Sequence, residues 1–437
     1  MAKPFCCKWK AVPRPVLLLL VPLVRSLNSI PINKKGNKLR KHTLITYMAL
    51  LALAGCSPAS TSVPTSTPVP PTATPMLPTP TPRSSRSWIE EEVNFTFGQA
   101  RLYGILTLPT NEGSYPAIVI ISGSRSTGGE GVSTRYYIEH ARRMVGNGFA
   151  VLRYDPPGVG QSTGESGFQS LDNRTEEAIA ALQYLQSRPD IRRDRVGLWG
   201  ISQGGWVIAM AAAAFPQDVA FIISVSGSGV GVAEQQVHSI EAQSRAAQMQ
   251  EHDIAKAVLF GRLLIDWQLS SPMFQELNAA EAQALGEGPW TDFMALVYEP
   301  GTITPADGLL KGIEILRSIQ DEPWAEFLYL KEMYIPRLES IPPEQVETLK
   351  AVTGQSLLND PQKYWSKVQC PVLAFFGEDD LLQPTARSAA LYEQYLTEAG
   401  NGKFEIVVIP GVGHYINLST PGYWEILSDW MDRLFEK

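Results

Sequence analysis

From residue 87 onward the apolar positions follow two periods. Polar and apolar residues alternate at 93–97 and 102–108, the pattern of an antiparallel pair with one solvated face. Compact apolar runs follow at 117–121, 150–153, 196–199, 219–225, 372–376 and 404–409. Each is short and lacks a polar face, which predicts strands covered on both sides of a parallel sheet. Helical spacing fills the gaps at 136–145, 176–186, 204–215, 385–399 and 422–435. Alternating strands and helices predict an α/β fold built on a mostly parallel, doubly wound sheet.

One interval breaks that rhythm. Residues 231–368 keep a helical period and offer no convincing strand, and Trp267, Trp290, Trp324 and Trp365 fall within them. The pattern predicts a helical cap inserted over the C-terminal edge of the strands, where open α/β sheets bind ligands. A separate helical domain without a catalytic part is the competing reading. The return to sheet-like runs in 369–437 favours an insertion into a core formed by 87–230 and 369–437.

Residues 1–86 have no such pattern. Positions 1–56 hold ten Lys or Arg and no Asp or Glu. A basic stretch at 34–41 precedes thirteen mostly apolar residues, 43–55, ending Leu53-Ala54-Gly55-Cys56. A basic region, an apolar run of this length and small residues before a cleavage point describe a secretory signal, and the run is short for a membrane span. Leu-Ala-Gly-Cys resembles the lipobox of bacterial lipoproteins, which implies lipidation at Cys56; an ordinary signal anchor is the alternative. A second apolar run at 16–24 fits this less well. A start codon set too far upstream and a genuine additional segment both remain open. Residues 57–86 form a Thr/Pro-rich linker: 57–82 contain nine prolines, seven threonines and no charge. Such a stretch cannot bury a core and suits an extended tether.

Charge and cysteine content narrow the partners. The chain carries 37 basic and 44 acidic residues, and without the ten basic residues of the signal region the balance is 27 against 44, or −17. An acidic domain argues against nucleic-acid binding. Membrane contact is expected only through the N-terminal lipid, on the outer side of a bacterial cytoplasmic membrane. Of Cys6, Cys7, Cys56 and Cys370, only Cys370 lies in the folded part, which excludes an intradomain disulfide. Preceding an apolar run, it is expected to be a buried strand residue. No His/Cys cluster points to a metal. The pattern does not specify an oligomeric state.

The chemistry concentrates at Gly200-Ile201-Ser202-Gln203-Gly204, a G-x-S-x-G between a predicted strand and helix. A sharp turn there would expose the Ser202 hydroxyl, with the N–H groups of the next helix beside it. A second match, Gly160-Gln161-Ser162-Thr163-Gly164, sits among prolines and glycines that describe a loop, so Ser162 is expected to be a turn serine.

A serine nucleophile needs a histidine base. His140 is expected on a helix surface, and His238 and His252 fall in the inserted region. His414 lies in a glycine-rich loop directly after the strand at 404–409, where catalytic side chains collect. The acid that would orient it comes from Glu378, Asp379 or Asp380, which follow the strand at 372–376; chemistry alone leaves the three open.

From about residue 90 the chain resembles an α/β-hydrolase, nearest to the esterase and dienelactone-hydrolase-like group related to the prolyl-oligopeptidase class. The resemblance rests on Tyr103-Gly104-Ile105-Leu106-Thr107-Leu108-Pro109, Ser122-Gly123-Ser124, Leu152-Arg153-Tyr154-Asp155, Gly158-Val159-Gly160-Gln161-Ser162, the Ser202 motif, the acidic loop and Gly413-His414. It implies an α/β-hydrolase fold and the chain order Ser202, acid, His414. It puts the acid three residues past Gly377, at Asp380, with Asp379 second. It implies oxyanion donors at the backbone N–H of Gln203 and of Ser124, or of Arg125 with a shifted register. Ser122 departs from the histidine common in that loop, and Pro157 stands where relatives often carry arginine. The implied reaction is hydrolysis of a small-molecule ester through an acyl-enzyme, with no cofactor. Peptide or amide cleavage, acyl transfer to another acceptor, and an inactive ligand-binding lipoprotein are the alternatives.

Overall fold

The computed structural model describes residues 88–111, 113–124, 131–164, 170–269 and 271–435. The signal region with Cys56, the linker and Arg125 lie outside the described residues.

Strands β1 (Trp88–Phe97) and β2 (Ala100–Pro109) pair antiparallel along their full length, from Trp88 opposite Pro109 to Phe97 opposite Ala100. The alternation of β1 turns Val93 and Phe95 inward. There follow β3 (Tyr115–Ile121), α1 (Arg135–Val145), β4 (Ala150–Tyr154), α2 (Leu171–Gln186), β5 (Ile191–Ile201), α3 (Gln203–Ala214) and β6 (Ile222–Val225). After the insertion come β7 (Val372–Gly377), α12 (Thr385–Glu398), β8 (Phe404–Ile409) and α13 (Tyr423–Arg433).

The eight strands form one sheet in the order β1-β2-β4-β3-β5-β6-β7-β8. Pairing is antiparallel from β1 to β4 and parallel from there to β8. Strand order reverses around β3, which has β4 on one side and β5 on the other; such a switch point leaves a crevice at the strand C-termini. One apolar core lies under α2 and α3 with Trp365 and Tyr392, and a second under α1 and α13 with Trp199 and Phe375. Burying a side chain such as Phe375 contributes about 1.5–3 kcal/mol.

Between β6 and β7 the described residues are helical: α4 (Val232–Ala246), α5 (Glu251–Gln268), α6 (Gln275–Leu285), α7 (Pro289–Tyr298), α8 (Pro305–Ile319), α9 (Ile335–Glu339), α10 (Val346–Leu357) and α11 (Gln362–Trp365). They enclose a third core with Phe260, Phe293, Leu316 and Trp324. Trp290 belongs to that core and Trp365 to the sheet core, so these tryptophans are packing residues; Trp267 is only partly buried.

Three expectations need correction. His140 is not on a helix surface: it is 1% exposed, in contact with the rings of Tyr136, Trp199 and Tyr423. Cys370 is partly buried and lies two residues before β7, where its carbonyl accepts from Asn401 Nδ2 at 2.8 Å. Its thiol is pushed up to about 12 by burial. The run at 404–409 is not covered on both faces, because β8 is the edge strand and Val408 is exposed.

Candidate active site

Ser202 occupies the single residue between β5 and α3, at φ 53° and ψ −120°. Its N–H donates to Val225 O at the end of β6 (2.9 Å), and its carbonyl accepts from Gly205 N (2.8 Å). The flanking glycines are required by close approach. A Cβ on Gly200 would stand 2.5 Å from Gly204 O, and one on Gly204 would stand 2.7 Å from Ile121 O. The turn is thus wedged between its own helix and β3, with the hydroxyl at the start of α3.

The loops after β7 and β8 meet each other at the C-terminal ends of their strands. His414 and Asp380 are joined from Nδ1 to Oδ2 at 2.8 Å, and their side chains are 8% and 1% exposed. A carboxylate acceptor puts the imidazole proton on Nδ1 and leaves Nε2 as the basic nitrogen. The other carboxylate oxygen of Asp380 accepts from Leu382 N (2.8 Å) and Gln383 N (3.0 Å), so the acid is held on both sides. Asp379 and Glu378 are exposed; Glu378 accepts from Gly411 N at 3.1 Å. Of the three acids, Asp380 is the one that meets His414. Ser226, directly after β6, donates from Oγ to His414 O at 2.7 Å. The end of β6 therefore holds the backbone of both Ser202 and His414.

The third contributor is the loop after β3, which carries Ser124. Tyr137 Oη accepts from Gly123 N at 3.3 Å. Arg174 of α2, 3% exposed, donates to Gly123 O (2.8 Å), to Ser122 O (2.6 Å) and to Gln203 Oε1. One guanidinium thus ties that loop to the residue after Ser202. Sequence reading missed Arg174, since a lone arginine in a polar stretch looks like surface; its partners are assembled only by the fold.

The remaining candidates sit elsewhere. Ser162 Oγ donates to Asp155 O (2.5 Å) and accepts from Tyr103 N (2.9 Å), the bonding of a turn serine. His252 is exposed beside Asp253, and His238 is half-buried on α4. Tyr415, 73% exposed, packs its ring edge-on against His414, and Leu381 is exposed next to Asp380. Among the described residues no cluster of His, Cys, Asp or Glu could hold a metal, and no helix is long and apolar enough to cross a membrane.

The strand order, with a strand–Ser–helix turn and a His–acid pair on the loops after the last two parallel strands, defines an α/β-hydrolase, and the chain belongs to that superfamily. Comparison with known proteins agrees. Residues 98–291, with Ser202, match the model of the X-Pro dipeptidyl-peptidase (S15) family. Residues 343–423, with Asp380 and His414, match the C-terminal model of BAAT / acyl-CoA thioester hydrolases. An uncharacterized protein of Pseudomonas aeruginosa is 34% identical over 168 residues, 36% of this chain and 43% of that one. The thiohydrolase aneE of Aspergillus aculeatus is 38% identical over 81 residues, 18% of this chain and 25% of the enzyme. A mitochondrial palmitoyl-protein thioesterase of Rattus norvegicus is 30% identical over 131 residues, 30% of this chain and 40% of that one. The chain thus spans less than half the length of each of these relatives.

Proposed function

We propose that the chain is a serine hydrolase that cleaves carboxylic esters or thioesters through an acyl-enzyme. The observation that carries the reading is the buried 2.8 Å contact between His414 and Asp380, set at the strand edge that also presents Ser202. In the first half, His414 Nε2 takes the Ser202 proton while Oγ bonds to the acyl carbon. The backbone N–H groups of Gln203 and Ser124 would receive the oxyanion. Collapse returns the proton from His414 to the leaving alcohol or thiol. In the second half water attacks, gives its proton to His414, and the acid leaves as Ser202 is reprotonated. These steps require no cofactor.

The thioester arm is favoured by the acyl-CoA thioester hydrolase match across the stretch that carries Asp380 and His414. A peptidase reading draws on the S15 match over Ser202. A fluorophosphonate probe with intact-mass measurement tests the shared chemistry: one covalent adduct on the protein and none on Ser202→Ala. No adduct on the wild type would sink the proposal. Turnover of acyl p-nitrophenyl esters, acyl-CoA and an X-Pro amide then separates the substrate classes. Asp380→Asn should lose about 10³–10⁴ in kcat through the wrong imidazole tautomer, while Asp379→Asn stays near wild type.

We also infer export and lipidation at Cys56, which would hold the hydrolase on the outer face of the cytoplasmic membrane. Labelling of cells with a radioactive fatty acid checks this: the label should follow the wild type and be absent from Cys56→Ser.

A further inference from the structure

Helix α4, the first of the insertion, starts where the chain enters and leaves that region. A Cβ on Gly231, just before α4, would stand 2.5 Å from Asn359 O, so the two ends of the insertion lie in contact. One turn into α4, half-buried Gln235 donates from Nε2 to Leu382 O at 2.7 Å. Leu382 belongs to the loop that carries Asp380.

The carbonyl that Gln235 meets shares one planar peptide unit with the N–H of Gln383. That N–H donates to Asp380 Oδ1 at 3.0 Å, and Asp380 Oδ2 meets His414 Nδ1 at 2.8 Å. A carbonyl that accepts a hydrogen bond polarises its peptide and strengthens the donor at the other end. Four groups therefore run in series: the Gln235 amide, the 382–383 peptide, the Asp380 carboxylate and the His414 imidazole. Leu382 N donates to the same Oδ1 at 2.8 Å, so both backbone donors on that oxygen lie on the segment Gln235 restrains. The Asp380 side chain is 1% exposed, and its orientation depends on these protein donors rather than on water.

A neighbouring contact of α4 is of a different kind. Glu234 Oε1 accepts from Arg387 Nε at 2.5 Å, which joins α4 to α12 rather than to the acid loop. Both side chains are exposed, and such pairs contribute little.

We propose that Gln235 is a positioning residue for the Ser202 reaction: from the insertion it fixes the 382–383 peptide, and through that peptide the carboxylate that orients His414. The proposal rests on the serine-hydrolase reading above.

Turnover of a p-nitrophenyl ester by the full chain, counted per fluorophosphonate-titrated site, tests it. Gln235→Met keeps the length and removes the donor. Its kcat should fall about three- to tenfold, the range of one hydrogen bond, with KM and the thermal transition unchanged. Gln235→Glu sets an acceptor against the carbonyl and should lose at least as much. Gln235→Lys restores a donor and should recover part of the rate. Glu234→Gln breaks the neighbouring ion pair and should keep the wild-type kcat. With Asp380→Asn already present, Gln235→Met should cost less than about twofold, because the carboxylate it acts on is gone. Wild-type kcat in Gln235→Met, no recovery with Gln235→Lys, or an equal fold loss with and without Asp380→Asn overturns the proposal and leaves the hydrolase reading standing. A wild type that takes no fluorophosphonate overturns that reading and this proposal with it.

Discussion

Ser202 holds φ 53° in a region that costs a non-glycine residue on the order of 1–3 kcal/mol, and the surrounding contacts must offset it. Gly204 is part of that support, since its bare Cα lets β3 approach within contact of the turn. Gly204→Ala would place a methyl 2.7 Å from Ile121 O, an acceptor in the rigid middle of the sheet. It should cost about 1–3 kcal/mol in urea unfolding, as overpacking does. An unchanged midpoint would show that the turn can shift freely. Arg174 acts at the same scale. Its donors span Ser122, Gly123 and Gln203, so Arg174→Ala frees the loop that carries Ser124 from the residue after Ser202. We expect kcat per fluorophosphonate-titrated site to fall about 10- to 100-fold with little change in KM, since small misplacement of catalytic groups is costly. Arg174→Lys should recover part of it by reaching one acceptor. A loss only in the fraction of titratable sites would mean that Arg174 serves folding alone. Ser202 and His414 stand out as candidates in the sequence because turn glycines and strand ends surround them in the chain. Choosing Asp380 among three adjacent acids took the resemblance, because loop chemistry alone does not say which carboxylate turns inward.

At the scale of elements, α1 shows why local reading can misplace a residue. Helical spacing puts Tyr137, His140, Ala141, Met144 and Val145 in one buried stripe, whereas the neighbouring Arg142 and Arg143 suggest a surface. The stripe decides: His140 packs between α1, Trp199 of β5 and Tyr423 of α13, donating from Nδ1 to Tyr136 O at 2.7 Å. Burial lowers its pKa to about 4. The unfolded chain takes a proton near pH 6.5 whereas the folded chain does so only near 4, so this helix contributes full stability above 6.5. As pH falls from 6.5 to 4 the contribution declines, by roughly 3 kcal/mol in all. Urea midpoints at pH 7, 5.5 and 4.5 should therefore drop more steeply in wild type than in His140→Gln. Parallel slopes would refute a neutral His140. The other elements were legible to within a turn except where polar residues are structural. Strand β5 begins at Ile191 with polar residues ahead of its apolar run. Helix α2 starts at Leu171 because Ser170 Oγ accepts from Asn173 N at 3.1 Å, a cap in a stretch with no apolar period.

For the molecule as a whole, every buried apolar side chain named in the three cores lies between Val93 and Met431, and residues 1–86 are outside the described part. The first strand among the described residues begins at Trp88, one residue past the composition break at 87. A chain beginning at Ser87 should consequently unfold at the same temperature as the full chain and label with fluorophosphonate to the same extent. A chain beginning at Gly98 should not. It would lack β1, which pairs with β2 over ten residues and sends Val93 and Phe95 into the sheet core. Removing it would expose the β2 edge, a template for intermolecular pairing, and strip a buried aromatic that packs on Tyr154 and Tyr184. Cavity costs of about 3–5 kcal/mol for Phe95 alone approach half the stability of an ordinary domain. Differential scanning calorimetry and size-exclusion chromatography distinguish the two chains. A cooperative, monodisperse product from Gly98 would mean that the strand at the edge is dispensable, and an unstable product from Ser87 would mean that residues 1–86 support the fold.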